Sequence, residues 1–139
     1  MSEENKALVH RFYEELDRRK SVPEEVCALN IAVYLAGNPL MDLGAFKQFV
    51  GAMYSGLPDL KHVIEDTVAE GDKVTVRLTF QGTHQGNLMG VPPSGKQVAA
   101  SAISIIQIAG GKVATQWIAP DMFGLMQQIG AIPAPGPGG

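Results

Sequence analysis

The sequence predicts an α+β fold in which a curved antiparallel sheet wraps as a cone around N-terminal helices. Apolar residues recur at helical spacing up to about residue 56, and long alternating strands follow from about residue 60. Residues 98–121 form two β-branched runs joined by Gly110 and Gly111, as in a long hairpin. Helices and strands that occupy separate parts of a chain are typical of this class. We expect the curved sheet to enclose a pocket.

Length and composition predict one domain. The 139 residues are 45% hydrophobic, enough for a packed core over residues 1–132, and the Pro/Gly-rich stretch 133–139 is predicted to be disordered. A net charge of −3, with no basic cluster larger than residues 18–20, argues against nucleic-acid binding. No apolar run approaches the roughly 18 residues of a membrane span and the N-terminus is polar, so we expect a cytoplasmic protein without membrane contact.

Cysteine and histidine usage argues against a metal site. Cys27 is the only cysteine, and the three histidines show no ligand spacing. No Gly-rich loop joins a strand to a helix in the way that nucleotide phosphates need. We therefore expect neither a metal nor another cofactor.

The first helix is predicted over residues 3–20. Acidic residues in its first turn and basic residues in its last turn complement the helix dipole. Leu8, Phe12 and Leu16 recur at helical spacing and form one apolar stripe. This stripe predicts the face that packs on the sheet.

Two shorter helices and one strand are predicted next. Pro23 begins a short helix in which Val26 and Leu29 face inward, and residues 32–36 form a short strand. Asp42 then caps a helix that ends near residue 56. The inward stripe of that helix consists of Phe46, Phe49, Val50 and Met53.

The second half of the chain is predicted to be strand-rich. Alternation indicates strands at 60–70 and 73–81, followed by a Gly/Pro-rich loop at 82–96 and then the hairpin. A final helix over 122–128 has an apolar face and ends at a glycine.

Both faces of the hairpin are apolar. Ile103 and Ile105 lie on one face, and Ala102, Ser104 and Ile106 lie on the other. Two apolar faces predict that both are covered. We expect the helices and a small hydrophobic molecule on the inner face, and a second copy of the chain, in a homodimer, on the outer face.

Several motifs, in order and covering most of the chain, together resemble one family. They are Phe12-Tyr13-Glu14, Leu57-Pro58-Asp59-Leu60, the run from Gly82 to Lys96, and Trp117 to Gly130 with Asp121 between them. In these segments the chain resembles the SnoaL-like polyketide cyclases of the nuclear-transport-factor-two-like (cystatin-like) superfamily. This resemblance implies the cone-shaped fold, and it implies the reaction less directly, because the fold hosts many activities.

The resemblance also implies a chemistry. In the characterised cyclases ring closure is a cofactor-free intramolecular aldol reaction, in which an Asp on the last long strand acts as general acid and base beside a His and an Asn. The corresponding positions here are Ile118 for the Asp, Ser104 for the His and Tyr34, approximately, for the Asn. The resemblance therefore implies the pocket but not the catalytic set of the antibiotic cyclases.

Asp121 is the first candidate for acid–base catalysis. A carboxylate among Trp117, Met122 and Phe123 can have a raised pKa. An Asp directly before an amphipathic helix is also the common N-cap arrangement. The two roles coexist only if the carboxylate faces the cavity.

His84 is the second candidate. It lies in a Gly-rich loop, where a side chain can be aimed at a pocket mouth, and imidazole exchanges protons near neutral pH. The alternative is a histidine that holds the loop through hydrogen bonds to backbone carbonyls. The other histidines are interpreted as structural: His62 as a solvated or satisfied edge residue and His10 as exposed.

Tyr34 is the third candidate, with a phenol that donates to a developing oxyanion. The alternative for Tyr34 and for Tyr13 is a core aromatic whose hydroxyl reaches water. The pocket itself is predicted to contain Tyr13, Met53, Met89, Ser104, Ile118 and Met122.

The sequence thus predicts a cofactor-free enzyme that acts on a small hydrophobic carbonyl compound by cyclisation, isomerisation or a related proton transfer. The alternative is a non-catalytic small-molecule-binding or assembly domain of the same fold. An enzyme needs a titratable side chain that faces the cavity.

Overall fold

The computed structural model describes residues 2–132, and the predicted tail at 133–139 lies outside them. The described chain contains three α-helices, one 3₁₀ turn and one five-stranded sheet. In chain order they are α1 (Ser2–Arg19), the 3₁₀ turn (Glu24–Val26), β1 (Cys27–Leu35), α2 (Leu43–Gly56), β2 (Lys61–Glu70), β3 (Lys73–Thr83), β4 (Gln97–Ala109), β5 (Lys112–Pro120) and α3 (Met122–Gln128).

The predicted α+β class is confirmed, with one difference in the sheet. The strand order is β1-β5-β4-β3-β2, and β2 to β5 form the expected antiparallel meander. β1 instead runs parallel to β5, with Tyr34 opposite Trp117. The sheet is therefore mixed rather than wholly antiparallel. The chain between β1 and β5 is long enough for the crossover that a parallel pair needs.

The region before α2 differs most from the prediction. The short second helix is only a three-residue 3₁₀ turn, and β1 begins at Cys27, five residues before the predicted start. Val26 is buried as expected, but Leu29 is 87% exposed, so the prediction that it faces inward was wrong. The residues after Val26 form a strand and not a helix, and the pairing of this strand with β5 is irregular between Cys27 and Ala32, where Leu29 lies outside the buried layer.

The core lies between the helices and one face of the sheet. Burial alternates strictly along β4 and through the middle of β3, and α1 packs its apolar stripe against β2 and β3. The residues that fill this layer include Val9, Phe12, Leu16, Val74, Val76 and Ile106. Full burial of side chains of this size contributes about 1.5–3 kcal/mol each.

The other face of the sheet has no cover within the described chain. Ile103, Ile105, Tyr34 and Trp117 are all more than a third exposed there. Tyr34 and Trp117 stack, with ring centroids 6.0 Å apart. The helices provide their part of the inner cover predicted for the hairpin.

The helices of residues 2–132 include none with the length and apolar character required to cross a membrane.

Candidate functional site

A cavity of about 90 Å³ lies between the helices and the inner face of the sheet. Its wall is formed mainly by aliphatic and aromatic side chains, among them Phe12, Phe46, Phe49, Val50, Leu78 and Phe80. A largely apolar cavity with a few polar groups is the usual form of a small-molecule site.

Tyr13, Met53, Ser104, Ile118 and Met122, all predicted as pocket residues, line this cavity. Met89, the sixth, does not. It is 46% exposed at a turn of the 84–96 loop with a φ of 49°, and Leu88 is the residue buried there. The turn directs Met89 into solvent, which periodicity does not reveal in an irregular loop.

Asp121 caps α3. Its Oδ1 accepts a hydrogen bond of 2.9 Å from the backbone N–H of Gly124, and the residue is exposed outside the cavity lining. A Cβ on Gly124 would overlap Oδ2 of Asp121, so the glycine makes room for this carboxylate. The N-cap alternative describes these contacts.

His84 is fully buried inside its loop. Its Nδ1 accepts from the backbone N–H of Ser94 at 3.2 Å and lies 2.8 Å from the Ser94 hydroxyl. Because Nδ1 accepts, the ring hydrogen lies on Nε2, which donates to the Val91 carbonyl at 3.3 Å. Both nitrogens are therefore engaged in the loop, as the structural alternative expects, and His84 does not line the cavity.

Tyr34 lies on the outer face of the sheet, stacked on Trp117 and 40% exposed. Its neighbour Val33 is the buried residue, since successive strand residues face opposite sides. None of the three predicted catalytic residues lines the cavity.

A polar cluster missing from those predictions lies at one end of the cavity. Asp17 near the end of α1 accepts three hydrogen bonds: from the Tyr54 hydroxyl at 2.6 Å, from the His62 backbone N–H at 2.8 Å, and from Nδ1 of the His62 ring at 2.7 Å. The ends of α1 and α2 and the start of β2 thus meet at one carboxylate. His62 and Tyr54 both line the cavity.

The hydrogen bonds of this cluster favour the ionised form of Asp17. Partial burial opposes the charge of Asp17, but the hydrogen bonds from His62 and Tyr54 outweigh it, and the pKa of Asp17 lies below its ordinary value. Burial and the adjacent carboxylate raise the pKa of the Tyr54 phenol. An ionised carboxylate only accepts, so Nδ1 of His62 donates to Asp17, and in the neutral tautomer of the ring Nε2 is the basic atom.

His62 lies between the cavity and the exterior. Tyr13, Leu60 and His62 line both the cavity and an adjoining open groove of about 680 Å³, which also contains Asp17. The Tyr13 and His62 rings pack with centroids 5.3 Å apart. The Asp17–His62 pair can therefore contact a bound molecule on one side and exchange protons with solvent on the other.

A second polar group lines the same cavity on β4, β5 and α1. Nε2 of Gln116 donates to the Tyr13 hydroxyl at 3.1 Å, and Ser104 lies on the adjacent strand. Burial raises the pKa of Tyr13 to about 12, which keeps the phenol protonated at neutral pH. Ser104 and Gln116 moderate that rise, although Ser104 Oγ forms no hydrogen bond of standard geometry within residues 2–132.

One sequence signal could have revealed the Asp17–His62 pair. Asp17 follows Tyr13 by four residues, so it extends the buried stripe of α1, where a carboxylate needs a partner. The partner lies 45 residues away on another element, and its identity could not be read from local spacing.

Within residues 2–132 no three His, Cys, Asp or Glu side chains are grouped as a metal ligand set.

Comparison with known proteins gives a consistent family pattern. The sequence profile of the SnoaL-like polyketide cyclases matches residues 7–129. The chain is 36% identical over 69 residues to aklanonic acid methyl ester cyclase DnrD of Streptomyces peucetius, and the matched segment covers 50% of this chain and 47% of that protein. It is 29% identical over 87 residues to nogalonic acid methyl ester cyclase of Streptomyces nogalater, covering 62% and 65%. The matched segment thus spans about half to two-thirds of these relatives.

Solved structures share the fold over nearly the whole chain. AclR of Streptomyces galilaeus, a candidate hydroxylase, superposes with a TM-score of 0.88 at 25% identity, covering 98% of this chain and 87% of its own. A candidate SnoaL-like polyketide cyclase from Jannaschia sp. CCS1 gives 0.86 at 26% identity, covering 95% of both chains. The two neighbours carry different activity names, so fold alone does not assign the reaction.

Proposed function

Since this chain belongs to the SnoaL-like polyketide cyclase family, whose profile spans residues 7–129, we propose that it performs acid–base chemistry, without a cofactor, on a small hydrophobic carbonyl compound. The observation that carries this proposal is the His62 ring, which is hydrogen-bonded to Asp17 and lines the apolar cavity. The reaction class is cyclisation, isomerisation or a related proton transfer.

The proposed step begins at Nε2 of His62. This atom takes a proton from the carbon next to a substrate carbonyl, and the C–H electron pair becomes the enolate π bond while the carbonyl oxygen gains negative charge. Asp17, which stays ionised, stabilises the imidazolium that forms, as a carboxylate does for a catalytic histidine. The enolate carbon then attacks a second carbonyl of the same molecule, or is reprotonated elsewhere, and His62 returns the proton.

The enolate oxygen needs a hydrogen-bond donor. The Tyr13 hydroxyl accepts from Gln116, so its own hydrogen is available, and its raised pKa keeps that hydrogen in place at neutral pH. A donor in a water-poor cavity stabilises a developing oxyanion more strongly than one in water. We assign Tyr13 this role.

The cavity volume supports a compact substrate. About 90 Å³ is small beside the roughly 300–1,000 Å³ of many ligand pockets. A one-ring ketone is therefore the substrate size that we propose.

Hydrogen–deuterium exchange tests the proposed proton abstraction directly. Acetophenone and cyclohexanone are incubated with the protein in D₂O, and loss of the α-proton signal is followed by NMR. We expect exchange above the buffer rate, reduced about 10²–10⁴-fold in His62→Gln. His10→Gln is the matched control, because His10 is exposed on α1, and we expect it to match the wild type.

A second readout separates the enzyme from a binding domain. If these ketones raise the melting temperature but the wild type does not accelerate exchange, the protein is a small-molecule-binding domain and the catalytic proposal is wrong. If His62→Gln exchanges as fast as the wild type, His62 is not the base.

The outer face of the sheet supports a further proposal, a homodimer. Its centre is apolar, with Ile103, Ile105 and Trp117, while Lys73 and Arg77 lie on the neighbouring strand. An apolar centre beside a charged rim is the usual anatomy of a protein interface. A second copy of the chain would present the same patch in return.

A further inference from the structure

Two buried polar atoms at the cavity have no hydrogen-bond partner. They are Oγ of Ser104 on β4 and Oε1 of Gln116 on β5, and among residues 2–132 nothing satisfies them. Both residues are at least 98% buried and both line the cavity. Ser104 pairs with Ile118 and Gln116 with Ile106, which makes the two polar residues diagonal neighbours on one sheet face.

Unpaired polar atoms in such a place point to a ligand. Most buried polar groups in proteins have a partner, because an unsatisfied one costs stability that an apolar side chain would not. The nearest polar group is the Tyr13 hydroxyl, which accepts from Nε2 of Gln116 and interacts with Ser104 without a hydrogen bond of standard geometry, so among residues 2–132 both atoms remain without a full partner. A molecule in the cavity can supply the missing hydrogen bonds.

The chemistry of the two atoms defines what that molecule must carry. Nε2 of Gln116 donates to the Tyr13 hydroxyl at 3.1 Å, which directs Oε1 away as an acceptor that needs a donor. The Ser104 hydroxyl can both donate and accept. A ligand hydroxyl fits both, since it donates to Gln116 and accepts from Ser104. An ether, an ester or a bare ketone oxygen has no hydrogen for Gln116.

We propose that Gln116 and Ser104 form a hydroxyl-recognition subsite, so that the preferred substrate is a hydroxylated carbonyl compound. This rests on the proposed function, because it places the hydroxyl beside the carbonyl that His62 and Tyr13 act upon. The subsite determines specificity and takes no part in the proton transfer. The subsite also orients the substrate, since a hydroxyl held on the sheet leaves the neighbouring carbonyl facing Tyr13 and His62.

Matched aromatic ketones test the subsite. The probes are 2-, 3- and 4-hydroxyacetophenone, each compared with the methylacetophenone of the same substitution, in which a methyl group of similar size replaces the hydroxyl. Affinities are measured by isothermal titration calorimetry at pH 7. We expect at least one hydroxyl isomer to bind about tenfold more tightly than its methyl partner.

Two variants assign the preference to these residues. Gln116→Met keeps the length and removes the acceptor, and we expect it to reduce the hydroxyl-to-methyl ratio to about one. Ser104→Ala is a smaller change that keeps the fold if Gln116→Met does not, and we expect a partial reduction. Val63→Ala on β2, outside the cavity lining, is the control and should leave the ratio unchanged.

The outcomes distinguish failure of the subsite from failure of the proposed acid–base function on which it rests. Equal affinities for hydroxyl and methyl partners in the wild type overturn the subsite and leave the ketone pocket intact. A hydroxyl preference that survives both variants also overturns it, because the preference then arises elsewhere. If none of the ketones binds, the pocket assignment fails and the subsite fails with it.

Discussion

The carboxylate of Asp17 binds both the backbone and the ring of His62. Its Oδ2 lies 2.8 Å from the His62 backbone nitrogen, and its Oδ1 lies 2.7 Å from the ring Nδ1. The first contact fixes where β2 begins and the second fixes how the imidazole is turned. The proposed base is therefore held by a side chain that also joins α1 to the edge of the sheet, which is the support that a precise site needs.

The first prediction concerns acid stability. The pKa of Asp17 is lower in the folded protein than its ordinary value, so the carboxylate stabilises the fold above the unfolded pKa of about 3.9 and loses that contribution as pH falls through the folded value. We expect Asp17→Asn to be less stable than the wild type at pH 7, with a difference that shrinks below about pH 4. Urea unfolding between pH 7 and pH 2.5 measures it. Asp66→Asn, at a carboxylate 62% exposed, is the control and should cost little stability at pH 7. Parallel Asp17→Asn and wild-type curves would contradict the assignment.

The second prediction concerns His84. His84→Ala removes the ring that bonds Ser94 and Val91, and we expect a loss of about 1–3 kcal/mol in unfolding free energy. Below its melting temperature, this variant should still exchange the α-protons of the ketones, because His84 does not line the cavity. His10→Ala, at an exposed histidine, is the stability control. A folded His84→Ala protein without exchange would restore His84 as a catalytic candidate.

The third prediction separates charge from capping at Asp121. Asp121→Ala should cost about 0.5–2 kcal/mol, because the Gly124 N–H loses its acceptor, while Asp121→Asn keeps a capping oxygen and should cost less. Both variants should retain α-proton exchange by NMR. Loss of exchange in Asp121→Asn at an unchanged melting temperature would show that the carboxylate acts in catalysis.

The fourth prediction tests the outer face. We expect sedimentation velocity at micromolar concentration to give twice the 14.8 kDa mass of one chain, and Ile105→Glu to give the single mass, because a buried charge without a partner opposes association. Ala7→Glu introduces the same charge at an exposed residue of α1, on the opposite side of the sheet, and is the control. A monomeric wild type, or equal dissociation by both variants, would contradict the homodimer.

The sequence predicted the elements well and the site poorly, for a physical reason. Helical and strand periods are local, so α1, α2, α3 and the hairpin could be placed to within a few residues. The site depends on pairs from distant elements, such as Tyr54 with Asp17 and Gln116 with Tyr13. Strand alternation gives the side of the sheet, and Ser104 and Ile118 lie on the cavity side that it indicates. The hydrogen bonds that occupy Asp121 and His84 are set by turn geometry, which residue type alone does not fix.

The parallel pairing of β1 with β5 affects the order in which the chain can fold. Val33 has one bridge to Met41, but its sheet neighbour is Gln116, more than eighty positions further along. β1 therefore lacks its strand partner until nearly all of the described domain has left the ribosome, and closing so long a loop carries a high entropic cost. The β2–β5 meander needs no such delay, because its strands are neighbours in the chain. We expect the meander to form first and β1 to dock last, so that the wall of the cavity is completed only after β5 has been synthesised.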